Sequence, residues 1–523
     1  VIGSLVHFFR NLRAGWVLAR EGALALVDPN FLPPAARLSL RFARIIERRG
    51  LGDGAARLSV ALTRLGPSYV KFGQFLATRP DIVGVAAARD LEQLQDRMPP
   101  FPREQAVRVI EAALGRPVDE LFLEFSEPIA AASIAQVHKA RITTPEGEEI
   151  VAVKVVRPGV REGFARDLQA MRAAARLFER VVPDARRLKP MEVVETLARS
   201  VAIEMDLRLE AAAMSELAEN TKDDADFRVP SPEWTLTARD VLTTTWIDGI
   251  RLNDIAAIEK AGLDRVVLAR TVLQSFLRHA IRDGFFHADM HPGNLFVDAK
   301  GRLVAVDFGI MGRLGMKERR FLAEILLGFI RRDYRRVAEV HFEAGYVPPH
   351  HSVEDFAQAL RAIGEPIHDR RADEISMAKL LTLLFEITAL FDMATRTELV
   401  MLQKTMVVVE GVARNLDPKL DMWTTSEPVV REWMERHLGP IGRIEQAGQG
   451  IWTLAGFAAT LPDLALRAGR VLAQVEDVTA KGVALTDESL DAIGRAKARG
   501  NRWGTVALWI IAASLIMLLF GGF

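Results

Sequence analysis

The run FFHADMHPGNLFVDAKGRLVAVDFG, residues 285–309, decides how this chain is read. It sets His287, Asp289, His291 and Asn294 after an apolar, helix-like segment, then reaches Asp307-Phe308-Gly309 at the end of an alternating strand pattern carried by Leu303, Ala305 and Asp307. In kinase-type sites one aspartate accepts or orients the proton of the attacking group and an asparagine four intervening residues later holds a metal ion. A second aspartate, after the following strand, holds metal against the nucleotide phosphates. Asp289, Asn294 and Asp307 keep that order and spacing, so the stretch predicts phosphoryl transfer. The oxygen ligands already suit Mg2+, which leaves His287 and His291 to brace the loop by hydrogen bonds.

Working upstream, residues 121–160 change from a helical to a strand-like period, with a turn at Pro145–Gly147 between two β-rich runs. This predicts a hairpin-bearing N-terminal lobe. In its second run, Val151-Ala152-Val153-Lys154 matches the strand whose lysine steadies the nucleotide α- and β-phosphates. The same four residues alone would also fit a buried strand with a snorkelling lysine; their position upstream of residues 285–309 gives them weight. Where a nucleotide-covering loop normally uses glycines, this chain has Ala130, Ala131, Ala132 and Ser133. Alanine narrows the accessible backbone conformations, so a stiffer loop and an altered phosphate cradle are expected. Residues 163–217 are helical in pattern apart from Val182-Pro183, and one of their glutamates must hold Lys154 towards the phosphates. Glu210 is the first choice and Glu204 the second. Two strands are expected within 229–246, with the hinge to a second lobe at Asp248-Gly249.

The second lobe should open with a helix over 263–283. After Gly309 the sequence runs towards helix with no long activation segment and no Ala-Pro-Glu, the parts by which protein kinases seat a polypeptide. Helical periods then dominate 319–416 and 428–472, and residues 452–469 read as a packed or interfacial helix. Residues 1–50 carry an amphipathic stripe, read as a packing face with a membrane-surface helix as the alternative. Lysine plus arginine equals aspartate plus glutamate at 68 each, which gives no reason to expect a nucleic-acid partner. The absence of cysteine excludes disulfides and thiolate metal sites. The uncharged run Thr505–Phe523 follows Arg495, Lys497, Arg499 and Arg502. That arrangement predicts a transmembrane helix anchoring a cytoplasmic body to the inner (cytoplasmic) membrane, and no cleavable secretory signal is expected at the N-terminus.

With these residues laid out, the chain resembles the UbiB/AarF family of atypical kinase-like proteins, relatives of the mitochondrial coenzyme Q biosynthesis kinases. The family's Lys-x-Gly-Gln motif falls on Lys71, Gly73 and Gln74, which by themselves read only as a solvated lysine beside a close-packing glycine. Its alanine-rich loop falls on Ala130–Ser133, its strand lysine on Lys154, its Glu-x-Asp pair on Glu204 and Asp206, and its helix glutamate on Glu210. Its catalytic and metal motifs fall on Asp289, Asn294 and Asp307, with Met290 where many relatives have proline. The resemblance implies that the helices around Lys71 cover the place where a protein kinase admits a peptide and that Glu204 and Asp206 contact this cover. It also implies ATP and Mg2+ as cofactors, and membrane lipids, ubiquinone precursors and other ubiquinone-biosynthesis enzymes as partners.

The fold expected is therefore α+β, a bilobal protein-kinase-like fold with an N-terminal helical extension, helical additions and a C-terminal transmembrane helix. The expected divisions are extension 1–100, N-lobe with helical insertion 101–250, helical C-lobe 251–475, linker 476–503 and anchor 504–523. Three functions compete: a membrane-anchored ATPase or small-molecule kinase supporting ubiquinone synthesis, an active protein kinase, and a nucleotide-binding pseudokinase scaffold. The missing activation segment disfavours the second, and the complete set Lys154, Asp289, Asn294 and Asp307 disfavours the third.

Overall fold

The computed structural model describes residues 2–23, 57–77, 98–181, 189–367 and 397–438, with 46, 47, 83, 87, 90, 91, 94, 387 and 390–393 between them. The predicted helix at 452–469, the linker and the anchor lie outside the described residues. Among the described residues no helix is long and apolar enough to cross a membrane.

Among the described residues of the extension are helices α1 (Ile2–Arg20), α2 (Arg57–Leu65) and α3 (Pro67–Ala77). The break between α2 and α3 follows from Gly66 in a positive-φ conformation, at 111°, and from Pro67, whose missing N–H costs nothing at a helix start. Asp90 clasps the start of α2 by accepting from the Leu58 amide and the Ser59 hydroxyl, both at 2.8 Å.

The chain then crosses to the N-lobe through α4 (Arg103–Leu114) and the single turn α5 (Val118–Leu121). Strands β1 (Glu124–Ala131), β2 (Ala135–Thr144) and β3 (Gly147–Val156) form an antiparallel meander. Its hairpin turn lies at Pro145-Glu146, between the paired Thr144 and Gly147. Three helices are inserted next: α6 (Val160–Val181), α7 (Pro190–Glu204) and α8 (Leu207–Asn220). After the two-residue β4 (Phe227–Arg228), β5 (Val241–Thr245) returns beside β3, giving the order β1-β2-β3-β5. On β3 the two-residue period buries Val151, Val153 and Val155 against α4, α5 and β5, and turns Lys154 to the other face. The extension packs on the insertion: Asn11 Nδ2 donates to the Ala170 carbonyl at 3.1 Å and Arg10 pairs with Asp167 at 2.9 Å. Helix α1 thus packs through Asn11, Arg10 and the buried Ala14 and Ala19, while Leu12 of the expected stripe and Trp16 remain exposed.

The C-lobe holds β6 (Gly249–Arg251), α9 (Ile255–Lys260) and α10 (Arg265–Leu277). The predicted 263–283 helix is α only to Leu277; a π-helical turn, Arg278–Asp283, completes it. Gly284 ends it at φ 69°, and a Cβ there would stand 2.5 Å from the Leu314 carbonyl oxygen, so the position requires glycine. Strands β7 (Phe285–His287), β8 (Leu295–Asp298), β9 (Leu303–Ala305) and β10 (Met311–Arg313) follow. They form a sheet ordered β4-β9-β8-β6 and a separate β10-β7 pair. Helices α11 (Met316–Ile330), α12 (Tyr334–Glu343), α13 (Val353–Gly364), α14 (Thr397–Leu416) and α15 (Met422–Leu438) complete the described chain.

Three local expectations are corrected. Trp234–Leu236 is a 3₁₀ turn, not a strand, because the Glu233 carboxylate takes the Thr235 amide and hydroxyl and folds the chain back. Leu303, Val304 and Ala305 are all buried, so β9 has no exposed face, and the strand ends before Asp307. The direct run into helix after Gly309 is interrupted by β10, which pairs Met311 with His287 and Arg313 with Phe285.

Candidate active site

Lys154 projects from the middle of β3, where its strand neighbours are Val137 and Leu242. Its ammonium donates to both oxygens of Glu210, at 2.8 and 2.9 Å, and to Asp307 Oδ1 at 2.8 Å. Glu210 reaches it because α8 starts at Asp206, whose carboxylate accepts from the Arg208 amide as a helix cap and is held by the Arg208 guanidinium. The two carboxylates that share one ammonium are driven apart in acidity. Burial pushes Glu210 up to about 7 despite Lys154. The Lys154 ammonium holds Asp307, which is half-exposed, well below the ordinary aspartate range. Burial works against the charge on Lys154, but Asp307 and Glu210 outweigh it and hold the ammonium above its ordinary value.

Asp307 sits just past β9 with φ 62°, a left-handed backbone that aspartate tolerates better than most side chains. The loop carrying Asp289 and Asn294 is tied to the preceding residue twice. His287 Nε2 donates to the Val306 carbonyl at 3.1 Å, and the Val306 amide donates to the Asn294 carbonyl at 2.9 Å. The other nitrogen of His287 accepts from the Asp289 amide at 3.0 Å, and His291 Nδ1 accepts from the Gly293 amide at 3.1 Å. Both histidines therefore hold backbone, as their loop position predicts. Asn294 Nδ2 donates to the Asp289 carbonyl and carboxylate at 3.1 and 3.3 Å, which leaves its amide oxygen as the other polar end. Carboxylate, carboxylate and amide oxygen make an oxygen-only donor set of the kind that suits Mg2+, beside an ammonium suited to phosphate.

The alanine-rich segment ends β1 with Ala130 and Ala131, paired to β2, and then turns tightly from Ala132, where the Ala132 amide donates to the Ala135 carbonyl at 2.8 Å. None of its residues has positive φ, so alanine fits without strain and glycine's conformations are not used. Ala130 is exposed and Ser133 is fully buried, so the latter is packed within the turn. Arg157 Nη2 reinforces this turn by donating to the Ala132 carbonyl at 3.2 Å and to the Pro99 carbonyl at 3.0 Å.

Lys71 is buried and pairs with Glu204 at the end of α7. A Cβ built at Gly309 would lie 3.9 Å from Glu204 Cγ and 3.5 Å from Asp307 Oδ1, so this pair borders the Asp-Phe-Gly turn. Glu204 thus meets the extension, and Asp206 caps α8. At Gly73 α3 packs tightly on its neighbours: a Cβ there would collide with Leu94 and stand 2.6 Å from Leu62 Cδ1. Gln74 is half-buried on the same helix.

Two contributors escaped the sequence reading. Gln136, fully buried, takes the Phe101 amide at 2.9 Å and gives a hydrogen bond to the Phe101 carbonyl at 3.1 Å, pinning the end of the Met98–Pro102 connector to β2. Thr405 on α14 donates to the Ala288 carbonyl at 3.0 Å and so supports the Asp289 loop from the helical region. A threonine inside a long helical pattern gives no signal of this, whereas a glutamine among the apolar residues of a strand could have been flagged.

Residues 93–341 match the ABC1 atypical kinase-like domain and residues 360–421 the UbiB helical domain. A "Probable protein kinase UbiB" of Marinobacter nauticus is 42% identical over 443 residues, 83% of this chain and 80% of the relative. A protein of the same description from Aeromonas hydrophila is 42% identical over 441 residues, with the same shares covered. A solved complex of Rv3197 with erythromycin, from Mycobacterium tuberculosis, is 25% identical and covers 76% of this chain and 97% of its own, with a TM-score of 0.49.

Proposed function

Because the chain belongs to the UbiB family of atypical kinase-like proteins, we propose that it is a membrane-anchored, Mg-ATP-dependent enzyme of ubiquinone biosynthesis that acts on or mobilises lipid-like precursors. The observation that carries the reading is the Lys154 ammonium held at once by Glu210 and Asp307, with the Asp289–Asn294 loop tied to Val306 beside them. Lys154 would exchange Asp307 for the α- and β-phosphate oxygens while Glu210 keeps it oriented. Released from Lys154, Asp307 would hold Mg2+ together with the amide oxygen of Asn294. Bound Mg2+ would offset negative charge on the phosphates of ATP. Asp289, fixed by Asn294 and by the His287-held backbone, would orient the attacking water or hydroxyl and take its proton. The turn Ala130–Ser133 would lie against the nucleotide through backbone groups, and Lys71, Gly73, Gln74 and Glu204 would limit access from the side of Gly309.

Asp307→Asn should lower Mg-dependent ATP hydrolysis by about 10²-fold or more, the usual cost of losing one group aimed at developing charge. Unchanged ATP affinity and turnover would overturn the assignment. The relatives' name carries a protein-kinase reading. Turnover stimulated by polyprenyl-phenol lipids, with no labelled phosphate on polypeptides, would support the lipid reading; label on polypeptides would replace it. Membrane attachment is proposed from the apolar run 505–523 and the basic residues before it. Release of the protein from membranes by deleting 505–523 is the expected result, and unchanged sedimentation with the membrane fraction would refute that anchor.

A further inference from the structure

Away from the residues discussed so far, two adjacent histidines and an aspartate bring three ligand atoms together. His350 and His351 precede α13, and Asp392 follows Phe391 in a separate turn. The Nε2 atoms of His350 and His351 stand 3.8 and 3.4 Å from Asp392 Oδ2, and the three ligand atoms all lie within 4.8 Å of one another. With metal–ligand bonds of about 2.0–2.1 Å, neighbouring ligand atoms in a tetrahedral zinc site are about 3.4 Å apart. The two carboxylate–imidazole separations already sit near that value.

The arrangement is held from below. The His351 ring lies 5.3 Å from that of Phe391, which packs edge-on against Phe356 at 4.9 Å, and both phenylalanines are buried. The Ser352 hydroxyl accepts from the Asp355 amide at 3.2 Å, fixing the backbone next to His351. Asp392 has φ 47°, a conformation open to aspartate and asparagine. The His350 ring lies tilted against that of His351, with centroids 4.1 Å apart, and is exposed, so an ion has a path in and room for water as the remaining ligand.

We propose that His350, His351 and Asp392 form a binding site for a divalent transition-metal ion of the Zn2+ type, on elements other than those that carry Lys154, Asp289 and Asp307. Two imidazoles and one carboxylate select such ions over Mg2+, which prefers all-oxygen octahedral surroundings. The bound ion fastens the turn at Phe391-Asp392 to the start of α13, two segments separated by about forty residues of chain.

Zn2+ titration of the full chain, by calorimetry and by competition with a chromogenic chelator, tests this. His350→Ala removes an exposed ligand, and Asp392→Asn keeps both shape and backbone tolerance, so each variant should fold. His287 and His291 remain in all variants, so any Zn2+ they take is common to every titration. The wild type should bind one more equivalent of Zn2+ than either variant, or bind it at least about tenfold more tightly, since loss of even a supporting partner typically costs that much. Zn2+ should raise the thermal midpoint of the wild type and not that of Asp392→Asn, with millimolar Mg2+ unable to displace it. Equal stoichiometry and affinity in wild type and variants would overturn the site, and displacement by Mg2+ would overturn the choice of metal.

Discussion

Glu210 and Asp307 touch the same ammonium, yet burial raises the first to about 7 and Lys154 depresses the second. The difference makes a pH prediction for the nucleotide-free protein. An acid raised above its ordinary value of 4.5 binds its proton more tightly when folded, so Glu210 favours the fold most below that pH, and the contribution is lost as pH climbs towards 7. Asp307 adds no slope in this window, because its depressed value and its ordinary value of 3.8 both lie below it. Urea titrations should therefore show the stability of the wild type relative to Glu210→Gln falling by roughly 2–4 kcal/mol between pH 4.5 and pH 8. A pH-independent difference would show that Glu210 is not raised by burial. Motif order gave the expectation that Lys154, Asp289, Asn294 and Asp307 belong together, and the structure joins Lys154 to Asp307 and Asp289 to Asn294 directly. The left-handed conformation of Asp307 was not legible, since it arises from the turn closing onto Val306 and leaves no pattern in side-chain type.

At the scale of elements, sequence pattern read well where period and burial coincide, as on β3, and poorly where a side chain takes over backbone hydrogen bonds. Glu233 turned an expected strand into a 3₁₀ turn in this way, and Asp206 serves as a helix cap, a role its motif did not announce. The π-helical turn at Arg278–Asp283 was likewise not foreseen, and both Asp224 and Asp226 face it. Asp224 is almost fully buried, accepts from both terminal nitrogens of Arg282 at 2.6 and 3.0 Å and lies 3.6 Å from Arg278 Nε and from His279 Nε2. Burial alone would raise its pKa, but His279, Arg282 and Arg278 together hold it well below the ordinary 3.8. Asp224→Asn should cost about 1–3 kcal/mol at neutral pH, because it removes charge-assisted hydrogen bonds to Arg282, which keeps Asp283, while Arg278 keeps Asp226. Its carboxylate stabilises the fold above about pH 4 and loses that effect as pH falls below its ordinary 3.8, so the gap between wild type and variant should narrow in acid. Chemical denaturation at pH 7 and pH 3 reads both outcomes; an equal gap at the two would refute the ion-pair account. On α3, Gly73→Ala forces a methyl group against Leu62 and Leu94, and an overpacking cost of about 1–3 kcal/mol is expected. Faster amide exchange confined to residues 57–77 would place that cost in the extension, whereas unchanged exchange would mean that the leucines yield freely.

The described parts of the first unit converge on one small region. Lys154 belongs to the N-lobe sheet and Asp307 to the C-lobe, so their 2.8 Å contact joins the lobes. Lys71 ties the extension to Glu204 beside Gly309, and Thr405 ties the helical region to Ala288. No single stretch of sequence announces this convergence, because each tie spans more than a hundred residues. A ligand seated among these contacts bears on both lobes and both additions, so its binding should appear as global stabilisation. At a ligand concentration of about one hundred times Kd, binding to the folded state alone adds about 2.7 kcal/mol. For a body of this size that corresponds to a rise of about 3 °C in the unfolding midpoint. The wild type should show this shift with ATP plus Mg2+ and a smaller one with ATP plus EDTA. Asp307→Asn should lose the Mg2+-dependent part, because the variant keeps the Lys154–Glu210 pair but lacks the half-exposed carboxylate. Lys154→Met should lose the nucleotide-dependent part as well. The two variants thus separate metal binding from phosphate binding in one measurement, and a full Mg-ATP shift in both would mean that the nucleotide binds elsewhere in the chain.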